Sequence, residues 1–210
     1  MLTFPEKIIF LVAVIVSGYL SWISFGQMFR IIKRGQDKLY WNNLGKRLLD
    51  AFIIVFTQKT VLKTRPFASF LHALIAWAFI LYFLVNLGDV LSAYIAHFHF
   101  MGRGLIGDIY RFFVDLFSVF ALISVAYFLI RRFLVGSPSL NIRDNVKVHP
   151  AARQGMRTDS LIVGLFIFFH IGFRFIGESF LIQINGADIW QPLASLVAGV
   201  WTQIDGQTIV

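Results

Sequence analysis

Apolar residues along this chain gather into four long blocks, at about residues 8–29, 67–90, 109–130 and 160–182, and the first and third of the stretches between them are rich in lysine and arginine. A helix rises 1.5 Å per residue, so about 20 residues cross a hydrocarbon core of about 30 Å, and each block is long enough. Backbone N–H and C=O groups in lipid must pair within the segment, so the blocks are predicted to be helices. The stretch LGKRLLDAFIIVFTQK, residues 44–59, is too short and too flanked by charge to cross. Leu48, Phe52, Val55, Phe56 and Lys59 recur there at helical spacing behind a basic start. That pattern predicts either an amphipathic helix lying in the membrane interface or a loop helix packed on a soluble partner. Residues 187–201 predict a short interfacial helix with Trp190 and Trp201 at headgroup level. The stretch VGSPSLNIRDNVKVHPAARQGMRTD, residues 135–159, is polar and predicts irregular structure. The expected fold is an all-α integral membrane protein. It is one membrane domain over 1–210, a bundle of four transmembrane helices with interfacial amphipathic helices, lacking a last helix beside the fourth.

Composition agrees with this pattern. Of 210 residues, 58% are hydrophobic and 14% charged, against about 25% charged in soluble domains, and the mean hydropathy is +0.74. The opening MLTFPEK runs straight into the first block without a small-residue cleavage site, which predicts a retained first span. There is no cysteine, so this chain carries no disulfide and no thiolate-held cluster. The net charge of +8 would suit nucleic acid if it were spread over a soluble surface. Instead, nine basic residues fall between Arg30 and Arg65 and six between Arg131 and Arg157, so fifteen of nineteen lie in two loops on one side of four spans. Positive loops stay in the cytoplasm, so both chain ends are expected outside a bacterial or archaeal cytoplasmic membrane.

Ionisable residues inside such spans are costly, roughly 2.5–3.5 kcal/mol each at the helix centre on insertion scales, and they mark functional sites. The fourth block, LFIFFHIGFRFIGESF, carries His170, Arg174 and Glu178 at steps of four. The second block carries His72 within FASFLHALIAWAF, where Ala68, His72 and Ala76 share one helix face. Small neighbours leave room for a flat macrocycle whose iron takes the imidazole nitrogen; close helix packing also uses small residues, so both readings of His72 stay open. His170 is likewise a candidate heme iron ligand. Arg174, one turn outward, is a candidate partner of heme propionates, and Glu178 a candidate proton carrier at a quinone site. A structural Arg174–Glu178 pair with His170 hydrogen-bonded to another helix is the alternative. His149 reads as a solvated loop residue, and His97 and His99 as part of an interfacial aromatic loop. His72 sits about 8 Å and His170 about 15 Å from the cytoplasmic ends of their blocks at helical rise. That offset favours two stacked hemes over one heme held between both histidines.

The stretch YWNNLGKRLLDAFIIVFTQKTVLKTRPFASFLHALIAWAFILYFLVNLGDVL resembles the membrane domain of iron–sulfur-binding oxidoreductases related to heterodisulfide reductase, which is similar to the gamma subunit of respiratory nitrate reductase. The residues that carry the resemblance are Gln58–Lys59, Arg65–Pro66, His72 and the third-block ending LIRRFLV, and it extends over essentially the whole chain. It implies a heme b module that passes electrons between a cytoplasmic iron–sulfur protein or domain and a membrane quinone, with His72 as the ligand of the second helix. It also implies a further helix returning to the cytoplasm and a soluble domain holding the iron–sulfur clusters. His170 matches no clear family position and rests on its local chemistry. A heme-free membrane anchor for a redox complex and a small transporter subunit using Arg174 and Glu178 are the other two function classes that the residues allow.

Overall fold

A computed structural model describes residues 3–35, 42–62, 66–95, 98, 100–102, 104–137 and 146–208, with residues 60, 61, 154 and 202–208 described by backbone alone. The described residues are helical almost throughout and contain no strand. The helices are α1 (Phe4–Lys33), α2 (Leu44–Thr57), α3 (Lys59–Leu62), α4 (Pro66–Tyr94), α5 (Leu105–Leu129), α6 (Pro150–Asn185) and α7 (Pro192–Thr208). Helix α5 continues as a wider final turn, Ile130–Leu134, in which the Val135 N–H reaches back five residues to the Ile130 carbonyl at 2.9 Å. Among the described residues, four helices are long and apolar enough to cross a membrane: α1, α4, α5 with its extension, and α6. The chain is therefore an all-α, multi-pass membrane protein, and each span contains the apolar block that predicted it. His97, His99, Lys38, Lys63, Arg65 and residues 138–145 of the second basic loop lie outside the described residues.

The chain divides into two compact units, Met1–Thr57 with Leu87–Phe100, and Gln58–Asn86 with Met101–Val210. In the first unit, α1 starts where the Thr3 N–H and hydroxyl both donate to the Glu6 carboxylate, at 2.7 Å each, with Pro5 in the first turn. This capping satisfies a helix-start donor that would otherwise be unpaired. Helix α1 buries none of its residues, and it meets the end of α4 where the Tyr94 hydroxyl donates to the Lys7 carbonyl at 3.0 Å. Helix α2 also buries none, and its two-sided sequence becomes a two-sided helix.

The second unit holds the packed core. Ala78, Tyr82 and Val85 of α4, Val114 and Ala121 of α5 and Ile171 of α6 are buried together, with Phe117, Leu122 and Ile167 against them. Small residues at Ala78 and Ala121 let helices approach closely where no hydrophobic drive separates protein from lipid. At its middle the Tyr82 hydroxyl and the Ser118 hydroxyl share a hydrogen bond at 2.6 Å, and Ser118 also donates to the Val114 carbonyl.

Two expectations change. Residues 150–159 are helical rather than irregular: Pro150 fits the first helical position, where its missing N–H costs nothing, and His149 accepts the Ala151 N–H on its ring nitrogen at 3.3 Å. Helix α6 therefore begins ten residues before the apolar block. The fourth span also has a neighbour: the helix expected within 187–201 is α7, and it packs on α6. Gly186, with φ of +97°, ends α6 in a conformation that only glycine adopts easily. After the turn, α7 packs back along α6: Ala194 and Ala198 bury against Ile182 and Phe175, and Trp201 stacks on Phe180 with ring centroids 4.4 Å apart.

Candidate functional site

The buried stripe of α4 runs through Leu71, Leu74, Ala78, Tyr82 and Val85. A step of one or two residues around the helix turns His72, Ile75, Phe79, Phe83 and Asn86 to a different face. On α6, Ser160, Val163, Gly164, Ile167 and His170 form the corresponding face. Between the two faces lie two neighbouring clefts. The first, of about 320 Å³, is lined by His72 and Ile75 of α4, by Val125, Phe128, Leu129, Arg132 and Phe133 of α5 and its extension, and by Ser160, Val163, Gly164 and Ile167 of α6. The second, of about 220 Å³, is lined by Ile75, Phe79, Tyr82, Phe83 and Asn86 of α4, and by Phe166, Ile167, His170 and Ile171 of α6. Ile75 and Ile167 line both, so they form the wall between them.

His72 and His170 are both exposed, one in each cleft. The Phe128 ring stands edge-on to His72 at 6.2 Å, and Tyr82 stands similarly to His170 at 6.1 Å. Phe166 lies parallel to the His170 ring, 7° from coplanar at 5.8 Å, which fixes one imidazole face against an aromatic surface. His72 is three residues before the shared wall on α4 and His170 three residues after it on α6. The two helices run in the same direction here, so the imidazoles are separated along the groove by about 9 Å at helical rise. One iron would need both nitrogens close together, and these two line separate clefts.

The alanine face around His72 does not form its cleft. Ala68 and Ala76 are half-buried and absent from the lining, and Ala73 is fully buried in the core. The open space comes from α6, where Gly164 takes the place of a larger side chain. A Cβ on Gly164 would sit 2.6 Å from Leu129 Cδ2, so this glycine sets how closely α5 and α6 approach. The cation in the His72 cleft is Arg132, whose guanidinium donates to the Met156 carbonyl at 3.3 Å. Sequence spacing pointed to Arg174 instead; it is half-buried one turn beyond His170 and is not among the residues lining either cleft. In the sequence Arg132 stood out only as a loop cation and as part of the LIRRFLV ending, because its link to His72 exists only across helices.

Glu178 lies two turns beyond His170 in a different polar group. Its carboxylate accepts from the Gln191 side-chain amide at 3.0 Å. Nearby, Asp115 of α5, only 2% exposed, accepts the backbone N–H of Leu193 at 2.7 Å and of Ala194 at 2.9 Å, holding the first turn of α7. Arg111 joins Asp108 at 2.7 Å to Asp188 at 3.0 Å, and Asp188 in turn accepts the Trp190 N–H. Sequence reasoning missed this group. Its signal was an acid, Asp115, within the apolar run VDLFSVFALISV of the third block, as costly at that depth as the residues of the fourth.

Among the described residues, no three or more histidine or acidic side chains cluster to hold a bare metal ion. A heme needs only one imidazole on each face of its iron. An exposed imidazole, apolar and aromatic walls and one guanidinium suit one flank of such a group in the His72 cleft, and the His170 cleft offers the first two. Ligand pockets run to about 300–1,000 Å³; the His72 cleft, at about 320 Å³, falls at the lower end of that range and the His170 cleft, at about 220 Å³, below it. No protein-family model, curated protein sequence or solved structure matches this chain.

Proposed function

We propose that this protein is a membrane heme b module passing electrons between a cytoplasmic iron–sulfur protein or domain and the quinone pool, with its basic loops on the cytoplasmic side. The observation that carries the reading is the groove between α4 and α6, which presents one accessible imidazole in each of two adjoining clefts. Two clefts at different heights suit two centres in series across the membrane better than a single one. When bound, the heme supplies one-electron redox chemistry, and the protein sets ligation, burial and access.

His72 offers a nitrogen ligand, held edge-on to Phe128, and the adjacent Arg132 guanidinium matches a propionate carboxylate in charge and geometry. His170 offers the second ligand, its ring oriented by Phe166 and Tyr82. Arg174 supplies a cation one turn further along α6. Glu178, hydrogen-bonded to Gln191, holds a proton-exchanging carboxylate near the end of α6, where a reduced quinone would release protons.

Reduced-minus-oxidised spectra of purified membranes test the reading directly. A b-type alpha band is expected, and a protein fully expressed and folded without one would leave only the anchor or transporter classes. His72→Ala and His170→Ala are each expected to remove part of the band. Full retention in His170→Ala would reduce the module to one center at His72.

A further inference from the structure

We infer that α2 is a membrane-surface helix that seats its apolar face in the bilayer and selects anionic phospholipid headgroups with Lys46 and Arg47. At 100° per residue, Leu44, Leu48, Leu49, Phe52, Val55 and Phe56 fall on an arc of about 140°. Lys46, Arg47, Asp50 and Thr57 occupy an arc of about 100° on the opposite side, which Ile54 shares, and Ile53 sits at its edge. Much of the apolar face is open: Leu48 is 66% exposed, Leu49 and Phe52 58%, and no residue of the helix is buried. The Phe52 and Phe56 rings pack on each other at 4.4 Å, forming a broad aromatic ridge on that open face. A contiguous exposed apolar face of this size marks a membrane or protein contact.

Charge decides which occupant it is. Along α2 the basic side chains sit on the polar side and at the flank of the apolar arc, as in helices that lie in the headgroup region. The chain enters α2 from an α1 terminus that is also basic. Arg30 bends back to donate to the Gly26 carbonyl at 3.3 Å, and the Lys33 ammonium lies over the Phe29 ring at 4.9 Å. Both side chains fold back onto the last turns of α1, so their charges sit at the end of a helix long and apolar enough to cross a membrane, where headgroups begin. A bilayer surface bearing negative lipids satisfies both the apolar arc and the cations. A soluble protein partner would have to supply an apolar groove and an acidic rim in the same place.

The chain has no native cysteine, so single labels can be placed without background. The full protein is reconstituted in nanodiscs of phosphatidylcholine alone or mixed with phosphatidylglycerol, carrying a fluorophore at Phe52→Cys, Phe56→Cys or Lys46→Cys. Labels at 52 and 56 are expected to be quenched by lipids brominated in the acyl chains and shielded from aqueous iodide. The label at 46 is expected to show the reverse. Acyl-chain quenching at 52 and 56 is expected to increase with phosphatidylglycerol. In a background of Lys46→Gln and Arg47→Gln the preference for the anionic lipid should drop about thirtyfold, about 1 kcal/mol being expected for each of the two cations near the surface. Equal iodide access at all three positions overturns the inference. So does shielding from both quenchers, which would mean a protein cover. Immersion that does not depend on phosphatidylglycerol overturns the selection of anionic lipid. None of these readings depends on heme, so the inference stands or falls apart from the electron-transfer proposal.

Discussion

The carboxylate of Asp115, inside α5, accepts the backbone N–H of Leu193, the second residue of α7, at 2.7 Å. With the Ala194 N–H at 2.9 Å, one buried acid satisfies two of the four donors that open a helix. The cap comes from another helix, and it ties the direction of α7 to the α5 backbone. Asp115→Ala leaves those donors buried without a partner. Caps of this kind contribute about 0.5–2 kcal/mol, and bonds to a charged acceptor about 1.5–3 kcal/mol. Thermal unfolding in detergent should show a loss of about 2 kcal/mol, with faster proteolysis between residues 186 and 191. Asp115→Asn, which keeps one acceptor oxygen, should lose less. Equal stability of all three proteins would show that α7 is held by its apolar face alone.

Trp201 secures the other end of the α7 contact. Its indole N–H donates to the Ser179 hydroxyl at 2.9 Å while its ring stacks on Phe180. Trp201→Phe keeps the stack and removes the donor, so it should cost about 0.5–1.5 kcal/mol, the net worth of one hydrogen bond. Trp201→Ala removes both and should cost distinctly more. A cost for Trp201→Phe equal to that for Trp201→Ala would assign the whole contact to the hydrogen bond.

Tyr82 serves the core and the His170 cleft at once. Its hydroxyl bonds Ser118, and its ring stands against His170. Tyr82→Phe should destabilise by about 1 kcal/mol, because Ser118 keeps its bond to the Val114 carbonyl. If His170 carries a heme, the spectrum of Tyr82→Phe should stay unchanged, whereas Tyr82→Ala should disturb it by releasing the imidazole. A changed spectrum in Tyr82→Phe would mean that the hydroxyl acts on the center electronically.

Ser124 is fully buried on α5, and its hydroxyl has no hydrogen-bond partner among the described residues. An unpaired buried hydroxyl costs about 1–3 kcal/mol in mutational series. Ser124→Ala should therefore be neutral or stabilising by about 1 kcal/mol in the same unfolding assay. A clear destabilisation would reveal a bond made by this hydroxyl in the membrane-bound state.

Arg132 lines the His72 cleft and its positive charge lies on the same side of the shared Ile75–Ile167 wall as the imidazole. Arg132→Gln should keep the b-type band and lower the midpoint potential of one center, because removing a cation favours the oxidised, more positive state. Redox titration of membranes reads this shift. An unchanged potential with full heme content would place the His72 center out of reach of Arg132.

The sequence by itself determined the four spans and the amphipathic α2, because bilayer thickness and helical periodicity are one-dimensional rules that a single segment either meets or fails. It misjudged residues 150–159, where a local capping arrangement around His149 and Pro150 outweighs polar composition. Neighbour relations were beyond it. That Arg132 shares a cleft with His72, that Ile75 and Ile167 divide two clefts, and that Asp115 caps α7 from 78 residues away are consequences of how α4, α5, α6 and α7 pack. Packing of apolar helices is set by side-chain fit between surfaces of nearly equal hydropathy, and no pattern along one strand of sequence records which surfaces meet.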